Sequence, residues 1–180
     1  MIERALSTNL VLVGFMGSGK SSVGRLLATY LGFQVVDTDA LVIQAAGMPI
    51  SEIFAREGEE VFRDYEAKAL ASLLGKTNLV VATGGGIVIR ESNRPLLRQL
   101  GFVVGLVANE EIIFERVSRN NKRPLLQTPN PRQTISELLA KRVPFYEAAA
   151  QFLVDTSVKS HGEVAEEIIA EARRRFPWQE

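Results

Sequence analysis

The sequence predicts an α/β chain built on a mainly parallel five-stranded sheet, and three observations lead there. Five short apolar runs, at 9–13, 33–36, 79–82, 102–107 and 152–154, alternate with longer stretches of helical periodicity. The first run leads into G-F-M-G-S-G-K-S at 14–21, which fits the phosphate-loop pattern G-x-x-x-x-G-K-[ST] in full. Behind it, Val23, Leu26, Leu27, Tyr30 and Leu31 recur at helical spacing until Gly32 supplies a stop. Strand, glycine-rich loop and helix in that order are the context that gives the motif its meaning.

Composition bounds the function. The 180 residues fit one domain, 1–180, large enough to bury a core. Lys+Arg and Asp+Glu both number 21, so the formal net charge is zero and gives no global attraction to nucleic acid or to an anionic membrane. The absence of cysteine excludes disulfides, zinc–thiolate sites and thiol catalysis. No apolar run approaches the roughly 20 residues of a membrane span. The stretch 1–8 is too short for a signal peptide before the first strand, so a cytoplasmic location is expected.

The phosphate loop has specific physics. Glycines 14, 17 and 19 let the backbone turn sharply and approach a ligand without a Cβ in the way. The loop amides and the positive end of the next helix face a polyphosphate. Lys20 adds a mobile charge for the outer phosphates, and the Ser21 hydroxyl suits Mg²⁺. The second strand ends in Asp37-Thr38-Asp39, at the sheet edge where open α/β folds bind ligands. Alternation along an extended segment puts the two acids on one side. Asp39 also suits an N-cap for a helix starting at Ala40.

That helix runs over 40–46 and stops at Gly47; Ser51 reads as the cap of a short helix ending near Gly58. Over 59–74 a longer helix carries a broad apolar face, with Arg63 on its border and Glu66 inside it, three residues on. An oriented Arg–Glu pair and a solvated surface pair are both compatible with that spacing. The third strand is followed by Thr83 and three glycines at 84–86, which permit close ligand approach to main-chain N–H groups. Helices are expected over 91–100, with Pro95 in its first turn, and over 110–118. The segment 119–131 is polar, basic at its front and carries three prolines. Its length and its arginines suit a lid over a phosphate site. A helix over 134–150 contains Pro144, which should bend or break it, and the last helix spans about 163–174. His161, the sole histidine, reads as a structural or solvated loop residue.

Several of these segments together resemble the shikimate kinase family: GFMGSGKSSVGR at 14–25, VVDTDALVI at 35–43, IFAREGEEVFRDYE at 53–66, ATGGG at 82–86, RNNKRPLL at 119–126 and KRVPFYEAAA at 141–150. They cover nearly the whole chain in the family's order. The resemblance implies a three-layer phosphate-loop kinase fold with sheet order 2-3-1-4-5 and a lid, and transfer of the γ-phosphoryl of ATP to the 3-hydroxyl of shikimate. It implies that Gly17, Ser18, Gly19, Lys20, Ser21 and Ser22 hold the ATP phosphates. Ser21 would ligate Mg²⁺, with Asp37 meeting the ion through water. Asp39 would hold the shikimate hydroxyls, either orienting the reacting one or taking its proton. Arg63 and Arg142 would clamp the carboxylate and Gly85 would donate its N–H. Arg123 in the lid would act with Lys20 on the moving phosphoryl, and Arg116 and Lys159 would border the adenine. Some family members carry arginine where this chain has Lys159, which keeps the charge and loses the planar stacking surface. A monomer is expected, with small-molecule partners only.

Two other readings share the scaffold. A kinase for gluconate or a nucleoside monophosphate would keep the phosphate loop, but a phosphorylated acceptor calls for several arginines around its phosphate. A metabolite sensor that has lost its chemistry would lack Lys20, Asp39 or Arg123, and all three are present.

Overall fold

The computed structural model describes residues 8–119 and 128–176. Its core is one sheet of β1 (Asn9–Gly14), β2 (Gln34–Asp37), β3 (Leu79–Ala82), β4 (Gly101–Val107) and β5 (Phe152–Asp155), in the order β2-β3-β1-β4-β5. Every neighbouring pair is parallel. This is the 2-3-1-4-5 order that the resemblance implied.

Central β1 is buried along its whole length, and its alternation feeds two cores. Leu10 and Leu12 pack with Val23 and Leu27 of α1 (Lys20–Leu31) and with Ile168 of α8 (His161–Arg175). Val11 and Val13 face the other way. They pack with Leu70 of α4 (Glu59–Ala71), Leu97 of α5 (Asn93–Leu100), Ile113 of α6 (Glu110–Ser118) and Tyr146 of α7 (Pro131–Ala149). A smaller cluster of Val42, Ile53, Phe62 and Ala69 ties α2 (Thr38–Ala46) and α3 (Ile50–Arg56) to α4. Because all strands run the same way, their C-terminal ends share one edge of the sheet, and the loops leaving that edge build the cleft.

Several boundaries differ from the sequence expectation, each for a local reason. Asp37, not Asp39, caps α2: its carboxylate accepts from the Asp39 and Ala40 N–H groups, so the helix begins at Thr38. In α3 the cap position is Pro49 rather than Ser51. α4 ends at Ala71, with Ser72 as its C-cap. α5 begins at Asn93, because turns through 84–92 bring the chain back from the three glycines. Pro144 does not break α7: it lies on the exposed face, so the Ala140 carbonyl that loses its helical donor faces water. His161 is the first residue of α8, whose capping box is built from Ser160 and Glu163.

Candidate active site

The phosphate loop is held from below by contacts within the chain. At Gly14 (φ 150°) a Cβ would lie 2.4 Å from the Leu106 carbonyl oxygen, so only glycine lets β1 leave the sheet here. The buried Lys20 folds back, its Nζ donating to the carbonyls of Gly14 (2.8 Å) and Phe15 (2.9 Å). On the far side Thr156, just past β5, donates its hydroxyl to the Ser18 carbonyl at 3.1 Å. Arg116 on α6 completes the brace: its guanidinium donates to the carbonyl of Gly17 (3.3 Å) and to both oxygens of Thr156 (3.0 and 2.6 Å). Ser18 is fully buried and shapes the loop from beneath, whereas Gly17, Gly19, Ser21 and Ser22 line the cleft.

Across the cleft, the Asp37-Thr38-Asp39 segment divides its work. Asp37 caps α2. Thr38 is buried, and its hydroxyl accepts from the Gly84 N–H at 2.9 Å, which ties β2 to the three glycines. Asp39 faces the cleft, and burial pushes its carboxyl above the ordinary range; Asp37 adds to this, while Lys20 and Arg63 oppose it. Asp39 therefore stands within the field of both a phosphate-side cation and an acceptor-side cation.

Arg63 is buried on α4. It donates to Glu66 at 2.6 Å and to Glu59 at 2.8 Å, so its two-pronged end is fixed in direction. The two carboxylates hold it firmly protonated even though burial, the largest single influence, works against its charge. Glu66 is 1% exposed, and its carboxyl is pushed upward: burial outweighs the opposing effect of Arg63, and Asp39 adds to the rise. The solvated-pair alternative is thus set aside. The glycines explain the close fit. A Cβ on Gly86 would meet Arg63 Nη1 at 2.4 Å, and one on Gly84 would meet Asp39 Oδ1 at 2.3 Å. Phe54 and Phe62, with ring centroids 4.6 Å apart, add an apolar wall to the same space.

Arg142 approaches from α7, its guanidinium 5.7 Å from the centre of the Phe15 ring. One turn on, Tyr146 donates its hydroxyl to the Gly85 carbonyl at 2.6 Å, and burial pushes that phenol up to about 12 against the pull of Arg142. Lys159 pairs with Glu167 at 2.5 Å, beyond the residues lining the cleft. His161, by contrast, does line it, with its ring beside Gly19. Of the lid expected over 119–131, residues 120–127, Arg123 among them, lie outside the described residues; Arg119 is the C-cap of α6, and Asn130 and Pro131 open α7. The cleft encloses about 590 Å³.

The sequence-expected Gly17, Gly19, Lys20, Ser21 and Ser22 thus share one cavity with Asp37, Asp39, Arg63, Gly85, Arg116 and Arg142. The contacts of Thr38, Thr156, Tyr146 and the Phe54–Phe62 pair are not visible in the sequence, and His161, read there as a structural or solvated loop residue, lines the cleft. Only the strand-end position of Thr38 and Thr156 hinted at them; the others depend on contacts between residues far apart in the chain.

The shikimate kinase family model matches residues 16–173. A shikimate kinase of Thermodesulfovibrio yellowstonii is 49% identical over 166 residues, covering 92% of this chain and 95% of that one. The chain belongs to the shikimate kinase family. The shikimate kinase of Acinetobacter baumannii, solved in complex with shikimate, superposes with a TM-score of 0.87 at 37% identity, covering 94% of this chain and 96% of that one. A gluconokinase from Sinorhizobium meliloti 1021 has a TM-score of 0.66 at 23% identity, covering 96% of this chain and 95% of that one, which is a likeness of fold. As a shikimate kinase the chain is an ATP-dependent phosphotransferase of the route to chorismate and aromatic amino acids. It moves the γ-phosphoryl of ATP to the 3-hydroxyl of shikimate, giving shikimate 3-phosphate and ADP.

Proposed function

We propose that this transfer runs across the cleft, with ATP on the phosphate loop and shikimate between Asp39 and the arginines of α4 and α7. The observation that carries the assignment is the place of Asp39, which lines one cleft with Lys20 of the phosphate loop and Arg63 of α4. An acceptor hydroxyl held by Asp39 then lies between the phosphates and a fork suited to a carboxylate.

The loop amides and the Ser22 hydroxyl hold the phosphates. Lys20 exchanges its carbonyl partners for phosphate oxygens, and Arg123 joins it from the lid. Asp39 orients the 3-hydroxyl. A largely dissociative transfer asks for positioning and charge neutralisation more than for a strong base. Arg63 and Arg142 hold the carboxylate, and the Gly85 turn contributes main-chain N–H. Arg116 borders the adenine, and the loop of Lys159 closes that side. Mg²⁺ fits the donors present: the Ser21 hydroxyl and the Asp37 carboxylate line one cleft, and no cluster of three or more His, Cys, Asp or Glu stands among the described residues. That suits an ion which keeps most of its ligands from phosphate and water. Bound there, it would supply positive charge to offset that of the phosphates.

The protein works as a cytoplasmic monomer on small molecules. No helix among the described residues is long and apolar enough to cross a membrane, and the balanced charge gives no pull toward nucleic acid.

The test is ADP production from MgATP with shikimate, run beside quinate, gluconate, AMP and CMP. Turnover with shikimate far above all others is expected. Equal or better turnover with gluconate or a nucleotide overturns the carboxylate-clamp assignment.

A further inference from the structure

Tyr146 is the largest fully buried side chain in the described residues, and its ring lies in the core beneath the sheet edge. A phenylalanine would fill that volume. A buried phenol also needs a partner for its hydroxyl, and the partner here is not a neighbour in the core. It is the carbonyl of Gly85, in an irregular turn that lines the cleft, at 2.6 Å, while Arg142 of the same helix also reaches the phenol oxygen.

The peptide joining Gly85 to Gly86 is planar and trans, so its N–H points opposite to its carbonyl. Tyr146 holds the carbonyl on the core side. The Gly86 N–H is then turned to the other side, and among the described residues neither it nor the Gly85 N–H finds an acceptor. Gly86 and the Arg63 fork line the same cleft and stand close together, since a Cβ on Gly86 would sit 2.4 Å from Nη1. Three glycines in a row leave the chain little intrinsic reason to keep this orientation.

We propose that Tyr146 is a positioning residue for the acceptor: its hydroxyl locks the Gly85–Gly86 peptide so that the Gly86 N–H, beside Arg63, meets the acceptor carboxylate. This rests on the clamp reading above and adds a residue that never touches substrate. It also explains why α7 carries Arg142 and Tyr146 one turn apart. One helix places both a charged donor and the strut for a main-chain donor.

The experiment compares the wild type with Tyr146→Phe on two acceptors, shikimate and its analogue with CH₂OH in place of the carboxylate. With shikimate, KM should rise about tenfold, the worth of one hydrogen bond to a charged group, with kcat and the KM for ATP little changed. With the hydroxymethyl analogue, measured as turnover or as competitive inhibition, the substitution should change affinity by less than about twofold, since the carboxylate that gives the bond its strength is gone. An equal loss for both acceptors, or a matching loss for ATP, overturns the proposal while leaving shikimate turnover by the wild type intact. Failure of the wild type to phosphorylate shikimate would instead remove the clamp reading itself. A second measurement needs no variant. In the ¹⁵N-labelled wild type, shikimate should move the Gly86 amide proton downfield and the analogue should not. No shift with shikimate counts against the strut.

Discussion

Arg63 is held by two carboxylates of unequal character, and replacing them separately tests why the site is built around a buried ion pair. Glu66 is 1% exposed as a side chain and sits 2.6 Å from the guanidinium; Glu59 is 60% exposed at 2.8 Å. Removing Glu66 leaves a buried guanidinium with only a solvent-side partner, a change that costs about 3–5 kcal/mol where no charge remains to compensate. Glu59 still compensates in part, so a loss near 3 kcal/mol is expected for Glu66→Ala, or about 6–12 °C in Tm for a chain of this size. Glu59→Ala removes a screened partner and should cost less than about 1 kcal/mol. The pair is not itself a large source of stability, because burial still pushes the Glu66 carboxyl upward against Arg63. The double replacement Arg63→Met/Glu66→Leu should therefore recover most of the stability lost in Glu66→Ala. It should also raise the KM for shikimate. Urea unfolding followed by circular dichroism, with steady-state kinetics on the same samples, measures both. If Glu66→Ala is no more destabilising than Glu59→Ala, or if the double replacement loses more than either single change, the buried-pair reasoning is wrong.

Two further outcomes follow from the same cleft. Gly86→Ala pushes a Cβ against Arg63 Nη1, the atom bonded to the buried Glu66, so the fork must give up part of that pairing and Tm should fall by several degrees, approaching the ~6–12 °C expected for Glu66→Ala. The displaced fork should cut kcat/KM for shikimate by about 100-fold, with binding of ATP unchanged; a variant with normal shikimate kinetics removes the close-approach argument. Asp39→Asn should abolish most turnover and yet stabilise the fold at pH 7. The raised carboxyl means that the folded protein holds its proton more tightly than the unfolded chain, so ionised Asp39 is a liability above its folded pKa. The gain in Tm should shrink as pH falls from that pKa toward the unfolded value near 4, and vanish below it. A gap in Tm that widens on acidification would reverse the sign of the shift. The same elevation places the acid limb of kcat/KM for the wild type above the ordinary aspartate range.

How much of this was legible beforehand varies from residue to residue. The phosphate loop was legible because its work is done by consecutive residues: a glycine turn, a lysine and a hydroxyl on a helix start read the same on the page as in space. The strand-to-helix alternation was legible because apolar periodicity is set by which face is buried. The family was legible because several spaced motifs agreed. Even Glu66 was visible as a carboxylate inside an apolar face. Whether it paired with Arg63 in the core or in water was not, since spacing on a helix fixes proximity and says nothing of what covers the helix.

The helix boundaries turned on single hydrogen bonds. Asp37 and Asp39 are both good caps; which one serves depended on Thr38 reaching Gly84, 46 residues away. His161 looked idle because its neighbour Gly19 is distant in sequence. By itself, then, the sequence determined the α/β class, the phosphate loop and the acids at the sheet edge, all of which rest on local periodicity and adjacent residues. The tertiary structure decided which acid caps and which faces the cleft, that Arg63 is locked by a buried Glu66 against Gly86, and that Tyr146 reaches Gly85. Each of these is a contact between elements brought together by sheet order and packing, and no local pattern encodes such a contact.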